Sequence, residues 1–309
     1  LTYDFSAETS YGNQYGAWYN GANGIDNPSG AAGLPNFTGD SSAHSLLAGH
    51  ATKGITFDLD AVRSTGASFN AFTAYLGDSR PKANGSISYY LLVDGTLKAN
   101  RNDVTNSEDF VAIPLAASDR FLTIVFTDAR IADINSDHSY AGDPFLRTAS
   151  VWTGGGSDAN WSTAANWADG IAPTSGATAD IILTGDTNVG GINQDIAAPF
   201  QLNRLQIAGY NPDGSASTSA LVSGGSQIQF VANGSVNPEL AVSRNQTATI
   251  NNNVNIANDL TLMVLNGSAA NDLVVSGQVS GSGMLTKTGP GTVVFNGTNG
   301  GFAGNVVVD

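Results

Sequence analysis

A chain of 309 residues with a net charge of −14, 37 glycines and no cysteine is long enough to bury two hydrophobic cores, since one core stops growing near ~250–300 residues. Charged residues make up only 12%, about half of the usual ~25%, which indicates an uncharged polar surface. The lack of cysteine excludes disulfides, thiolate metal sites and thiol catalysis. Both halves are acidic, so no basic patch is available to bind nucleic acid.

The first half of the chain is predicted to form short strands. In "GITFDLD" the apolar residues Ile55, Phe57 and Leu59 alternate with polar ones, as in a half-buried strand. The following "DAVRSTGAS" favours a short helix. Turn signals at Asn84-Gly85, Asp94-Gly95 and the Asn/Asp-rich 100–109 separate further alternating runs at 69–76, 86–95, 109–115 and 120–128. Short strands without long helices predict a jelly roll or β-sandwich over residues 1–149.

The texture of the sequence changes near residue 150. Trp152, Trp161 and Trp167 stand close together, and short apolar runs separated by Gly, Asn and Ser follow them. This rhythm is typical of a solenoid with roughly 20–25 residues per coil. The expected fold class is therefore all-β, with a sandwich followed by a right-handed parallel β-solenoid over 150–309. We expect the tryptophans either to cap the first coil or to form a small core between the domains.

Five segments of the first half resemble, in order, the NPCBM family of carbohydrate-binding modules. They are "HATKGITFDLDAVR" (50–63), "FNAFTAYLGDSRP" (69–81), "SISYYLLVDG" (86–95), "FLTIVFTDA" (121–129) and "SDHSYAGDPFL" (136–146). The resemblance implies a galactose-binding-like β-sandwich that binds a glycan and is not catalytic.

The second half is similar to the autotransporter-associated β-strand repeat of bacterial surface proteins. The similarity lies in "LTKTGPGTVVFNGTNGGFAGNVVVD" (285–309) and in the opening "WTGGGSDANWSTAANWADGIAP". It implies a secreted or cell-surface protein whose signal peptide has been removed. We also expect further repeats to have followed Asp309.

Two segments carry side chains suited to sugar recognition, which needs polar groups for hydroxyls and an aromatic face for C–H contacts. If the sandwich brings "YLGDSRP" and "DHSYAGD" together, they would form one shallow site. The candidate sugar-binding residues are Tyr75, Asp78, Arg80, His138, Tyr140 and Asp143. Alternatives stay open: Asp78 and Arg80 as a loop ion pair, His138 as a buried hydrogen-bonded residue, and Tyr140 as a packing residue at the sandwich end.

The segment "DINSDHSYAGDPF" also contains a possible cation site. Asp133, Asn135 and Asp137 have the D-x-N-x-D spacing that places oxygen ligands around calcium. The full calcium loop would need glycine at His138 and glutamate at Pro144. The same residues suit an Asx-rich turn that satisfies its own backbone N–H groups. Structural calcium is therefore the only cofactor we predict, and the turn is its alternative.

Catalysis is disfavoured by the same residues. The run Ser136-Asp137-His138 does not converge as a triad, because neighbours on an extended chain point to opposite faces. Three scattered histidines are too few for a zinc site.

The leading hypothesis is a glycan-binding, adhesive module on a solenoid stalk, with no nucleic-acid partner and no membrane insertion. Alternatives are a self-associating subunit of a matrix, sheath or filament, and a glycoside hydrolase or its appendage.

Overall fold

The structure is a computed structural model. It describes residues 19–20, 46–50, 53–78, 86–104, 108–129, 138–183, 191–196, 199–208, 220–243, 247–264 and 272–308. The chain divides into two compact units between Arg147 and Thr148. Each unit is almost entirely β-structure, as the sequence predicts.

The first unit is a sandwich of two antiparallel sheets. Its strands are β1 (Tyr19–Asn20), β2 (Leu46–His50), β3 (Lys53–Asp58), β4 (Ala71–Asp78), β5 (Ile87–Val93), β6 (Thr96–Val104), β7 (Glu108–Pro114), β8 (Phe121–Asp128) and β9 (His138–Arg147). The front sheet has the order β1-β2-β9-β4-β7, and the back sheet has the order β3-β8-β5-β6. Alternate residues of both sheets, such as Phe72, Leu76, Leu91 and Ile124, form one buried core between them.

Local sequence explains where the first strong strand stops. Ile55 is buried as predicted, but Leu59 begins the helix α1 (Leu59–Arg63) instead of continuing the strand. The Asp58 carboxylate accepts the backbone N–H of Ala61 at 3.0 Å, which is the N-cap interaction that starts a helix. The predicted short helix is thus confirmed, and it begins one residue before "DAVRSTGAS".

The predicted Asp94-Gly95 turn is confirmed. The turn predicted over 100–109 is wrong in its first half, because strand β6 continues to Val104. Asp94 and Gly95 have φ of 48° and 76°, as a two-residue hairpin requires. The hairpin continues pairing β6 with β5 as far as Val104 opposite Ile87. A register shift occurs on the way, near Asp103 at φ 57°. Cross-strand pairing therefore overrides the turn preference of the Asn and Asp residues.

The second unit is a β-solenoid of parallel strands. They are β10 (Ser150–Trp152), β11 (Asp180–Leu183), β12 (Ile192–Asn193), β13 (Phe200–Leu202), β14 (Arg204–Ala208), β15 (Ala220–Ser223), β16 (Ile228–Phe230), β17 (Glu239–Ser243), β18 (Ala248–Ile250), β19 (Val254–Ile256), β20 (Leu260–Val264), β21 (Leu273–Val275), β22 (Val279–Gly281), β23 (Leu285–Thr288), β24 (Val293–Phe295), β25 (Gly301–Phe302) and β26 (Val306–Val308). Within the described ranges they form three sheets of seven, five and five strands.

In successive coils, residues of the same type lie next to one another. Leu205 lies beside Leu240, and Leu240 beside Leu262, so one coil takes 35 residues and the next takes 22. The second value agrees with the predicted ~20–25 residues, while the longer coil contains residues 209–219, outside the described ranges. Each fully buried leucine contributes about 1.5–3 kcal/mol of burial free energy.

The three tryptophans belong to the solenoid core at its first coil. Trp152, Trp161 and Trp167 are all buried. The Trp167 ring meets the rings of Trp152 and Trp161 edge to face, at 5.1 and 5.8 Å between centroids. Trp161 packs in the same way on Phe200 of β13, at 5.1 Å. The tryptophans are therefore structural, and their contact with Phe200 agrees with the capping interpretation.

Polar side chains also repeat from coil to coil. The Gln201 amide donates to the Gln229 side-chain oxygen, and the Gln229 amide donates to that of Asn255. The Asn255 amide in turn donates to the Ser280 hydroxyl, and all three distances are 3.0 Å. Such a ladder fixes the register of the stacked strands. Glycine is needed where the turns of successive coils approach closely. A Cβ at Gly277 would lie 2.0 Å from the Asn252 carbonyl oxygen.

Over the described residues, no helix has the length and apolar character needed to cross a membrane.

Candidate functional site

The structure pairs the two segments that the sequence singles out for sugar binding. Strands β4 and β9 are neighbours in the front sheet, with Gly77 opposite Tyr140 and Asp78 opposite Ser139. These residues are more than sixty positions apart in the chain. The end of "YLGD" and the start of "HSYAGD" therefore lie side by side at one end of the sheet.

The two predicted tyrosines are buried. Tyr75 is 4% exposed and Tyr140 is 1% exposed. The Tyr75 ring lies 5.1 Å from the Phe110 ring, at an interplanar angle of 56°. Both tyrosines lie on the face of the front sheet that points away from the sandwich core, since Leu76 and Ala141, next to them in sequence, point into it. Their burial favours the packing role that the sequence leaves open for Tyr140.

Three other predicted residues are placed by their backbone positions. Asp78 is the last residue of β4 and His138 the first of β9. His138 stands directly opposite His50 of β2, so two of the three histidines are cross-strand neighbours. Asp143 lies further along β9. The remaining predicted residues, Arg80 of the sugar site and Asp133, Asn135 and Asp137 of the calcium site, lie outside the described residues.

A β-bulge interrupts β9 at Asp143 and Pro144. Tyr75 pairs with Gly142, but Thr73 pairs with Phe145, so β9 has one extra residue there. Proline has no N–H to donate and is found in sheets at edges and bulges. The pairing of β2 with β9 ends at Gly142. Beyond the bulge, β9 therefore has a neighbour only on its β4 side among the described strands.

Phe145 follows this bulge and is 48% exposed. The Arg147 guanidinium lies 5.9 Å from the centre of its ring. Sequence reasoning missed Phe145, although it closes the segment "DINSDHSYAGDPF". The available signal was Pro144, which marks a bulge, because bulges bend strands and turn side chains to new directions.

A separate polar cluster joins the two sheets of the sandwich. The Asp109 carboxylate of β7 is fully buried, accepts the Tyr89 hydroxyl at 2.9 Å and pairs with the Arg101 guanidinium. Burial raises the pKa of Asp109, and Arg101 and Tyr89 oppose that rise. Because these groups satisfy one another inside the core, we interpret the cluster as structural.

Comparisons with known proteins were made at three levels. No protein-family model and no curated protein matches the chain. The two family resemblances, to NPCBM modules and to autotransporter repeats, therefore stay predictions.

Three solved structures to which this chain is similar each cover less than half of it. CBM51 from Clostridium perfringens GH95, in complex with methyl-galactose, is 23% identical, with a TM-score of 0.31 over 37% of this chain and 77% of that one. CBM51-2 in complex with GlcNAc and INT domains from C. perfringens ZmpB is 18% identical, at 0.28 over 34% and 22%. The ZmpB M60 catalytic domain with CBM51-1 and CBM51-2 is 25% identical, at 0.34 over 45% and 14%. This chain thus spans under a quarter of either ZmpB structure.

Proposed function

We propose that the first unit is a non-catalytic carbohydrate-binding module whose site lies along β4 and β9. The observation that carries this proposal is the pairing of Gly77 with Tyr140 and of Asp78 with Ser139. It assembles, on one rigid sheet, the polar segments that sequence reasoning selects separately. Ligand sites are commonly built where loops and strand ends converge on such a scaffold.

The NPCBM-like segments follow the strands of the sandwich. The segment at 50–63 spans β3 and α1, and those at 69–81, 86–95, 121–129 and 136–146 coincide with β4, β5, β8 and β9. The resemblance therefore extends over both sheets rather than over one local motif. This agreement concerns the fold, and the resemblance itself is what supports the sugar-binding proposal.

A neutral glycan is the partner that the charge favours. The chain carries a net charge of −14, which repels phosphate, uronate and sialate groups at long range. Hydroxyls of a neutral sugar instead form hydrogen bonds with carboxylates, imidazoles and guanidinium groups. The side chains we propose for this role are Asp78, Arg80, His138 and Asp143.

The solenoid is proposed to serve as a stalk for this module on a secreted, cell-surface protein. Its stacked coils and amide ladder form an extended, repetitive scaffold, and each coil needs contacts only with its neighbours. The autotransporter-like repeat at 285–309 supports the extracellular location. An adhesive role would follow from placing a glycan-binding unit on this scaffold.

Glycan-array binding by the whole chain tests the module. The array should include galactosides and N-acetylglucosamine, the sugars in the two liganded structures above. We expect binding by the wild type, and weaker binding by Asp78→Ala and Asp143→Ala. Asp169→Ala, an exposed change in the solenoid, is the matched control.

A parallel array with a chelator tests the calcium proposed at Asp133, Asn135 and Asp137. Absence of binding to any glycan would refute the proposal.

A further inference from the structure

Phe145 differs from every other aromatic residue whose exposure the structure describes. All of those are buried or half-buried, whereas Phe145 is 48% exposed. Its neighbours on the same face of the front sheet behave differently: Thr73, Tyr75 and Tyr140 are each less than 5% exposed. Most of this face is therefore covered, and Phe145 is the aromatic ring available at its surface.

The backbone around Phe145 accounts for this exposure. The bulge at Asp143 and Pro144 shifts the register by one residue, and β2 no longer pairs with β9 beyond Gly142. Bulges are frequent next to binding sites because they turn side chains to new directions. Phe145 thus lies on a part of β9 that pairs with β4 on one side. On the other side, no described strand pairs with this part of β9.

Two polar groups stand beside the ring. The Arg147 guanidinium lies 5.9 Å from the ring centre. Thr73, the register partner of Phe145, is fully buried, and within the described part of the chain its Oγ1 has no hydrogen-bond partner. Buried hydroxyls are normally satisfied, and because this one is closed to solvent, a buried water would complete its hydrogen bonding. A ligand beside Phe145 can therefore reach Arg147 and not the Thr73 hydroxyl.

The size of the exposed surface selects the kind of partner. A stable protein interface needs about 800 Å² from each partner, far more than one ring and its polar neighbours offer. A pyranose ring has an apolar C–H face of about the size of a phenyl ring and is surrounded by hydroxyls. A phenyl face next to a guanidinium matches this arrangement.

We propose that Phe145 is the aromatic platform of the glycan site, on which the C–H face of a neutral pyranose stacks, with Arg147 donating hydrogen bonds to its hydroxyls. This inference rests on the proposed carbohydrate-binding function. It adds a residue outside the predicted set. Phe145 pairs with Thr73, five residues along β4 from Asp78, or about 17 Å at ~3.3 Å per residue, so it forms a separate subsite of the glycan site beyond the bulge. Tyr75 and Tyr140 lie on the same face in its covered part, where they are packing residues and do not contact the sugar.

Calorimetric titration of the whole chain with methyl galactoside and N-acetylglucosamine tests the platform. We expect Phe145→Ala to weaken binding at least about tenfold, equivalent to about 1.4 kcal/mol, and Phe145→Trp to retain it. Leu97→Ala is the control, since Leu97 is similarly exposed, at 50%, on the back sheet. Its affinity should equal that of the wild type. An unchanged melting temperature in Phe145→Ala shows that folding is intact.

The outcomes separate the two proposals. If the wild type binds and Phe145→Ala binds equally well, the platform is refuted while the carbohydrate-binding function stands. If the wild type binds no sugar of the array, both are refuted. Phe145→Trp gives a direct second readout, because stacking of a sugar on the new indole should shift its emission to the blue. An unshifted spectrum at saturating sugar contradicts the stacking.

Discussion

Removing Arg101 should destabilise the sandwich far more than removing an exposed arginine. Arg101→Met removes the cation that pairs with the fully buried Asp109 carboxylate, and leaves the Tyr89 hydroxyl to donate its hydrogen bond to that carboxylate. Breaking a buried ion pair in this way typically costs about 3–5 kcal/mol, because an uncompensated charge stays in the core. We expect this loss in the free energy of unfolding of the first unit.

The same substitution at Arg120 provides the control. Arg120 lies 3.8 Å from Asp60, and the side chains are 62% and 60% exposed. Exposed pairs contribute about 0–1 kcal/mol. The Arg101→Met, Asp109→Leu double variant should recover much of the lost stability, since apolar replacements of a buried pair are often neutral.

Hydrogen exchange resolved by peptide is the suitable assay, because it reports each unit separately. Protection should fall in β5 and β7 and remain unchanged in β18 to β20. The pH dependence adds a check. Burial raises the pKa of Asp109, so protonation relieves the unpaired charge, and the variant should gain stability as the pH falls through that raised pKa. Equal losses in Arg101→Met and Arg120→Met would refute this reasoning.

Three further changes test the solenoid. Trp161→Ala removes a fully buried ring that packs on Trp167 and Phe200, and should lower the free energy of unfolding by about 3–5 kcal/mol in urea titrations; a loss below about 1 kcal/mol would contradict the capping role. Gly277→Ala places a Cβ 2.0 Å from the Asn252 carbonyl oxygen, whereas Gly225→Ala meets nothing within 4 Å, so thermal melting should fall for the first variant and not for the second. The pKa of Asp158 is lowered, chiefly by hydrogen bonds from the Asn160 backbone N–H and the Thr163 hydroxyl. The stabilising effect of this carboxylate should therefore be lost as the pH falls through the lowered pKa. If Asp158→Asn melts in acid with the same pH dependence as the wild type, the carboxylate has no such effect.

Much of the fold could be predicted because its signals are local. Alternation in "GITFDLD" and in the later runs identifies most sandwich strands, and short aliphatic runs between glycines identify the solenoid strands. The error over 100–109 has a physical cause: Asn and Asp favour turns, but β6 is held by its pairing with β5. Leu59 was misplaced because the Asp58 cap competes with the alternating pattern.

The candidate site was predictable only in part. The two segments could be chosen by their chemistry, since carboxylates, imidazole and aromatic rings suit a sugar. The burial of Tyr75 and Tyr140 could not be predicted, because alternation tells which residues share a face and not whether that face is covered. Phe145 was missed for the same reason.

Sequence alone determined the class of this protein: two β-rich units, the first a sandwich, the second a solenoid with tryptophans in its first coil. Each of these follows from side-chain periodicity within a few residues of chain. Tertiary structure decided which strands are neighbours. It placed β4 beside β9, His138 opposite His50, and Asp109 against Arg101. These positions depend on long-range pairing, which no local pattern specifies, and on a one-residue bulge at Asp143 and Pro144, for which Pro144 is the local signal.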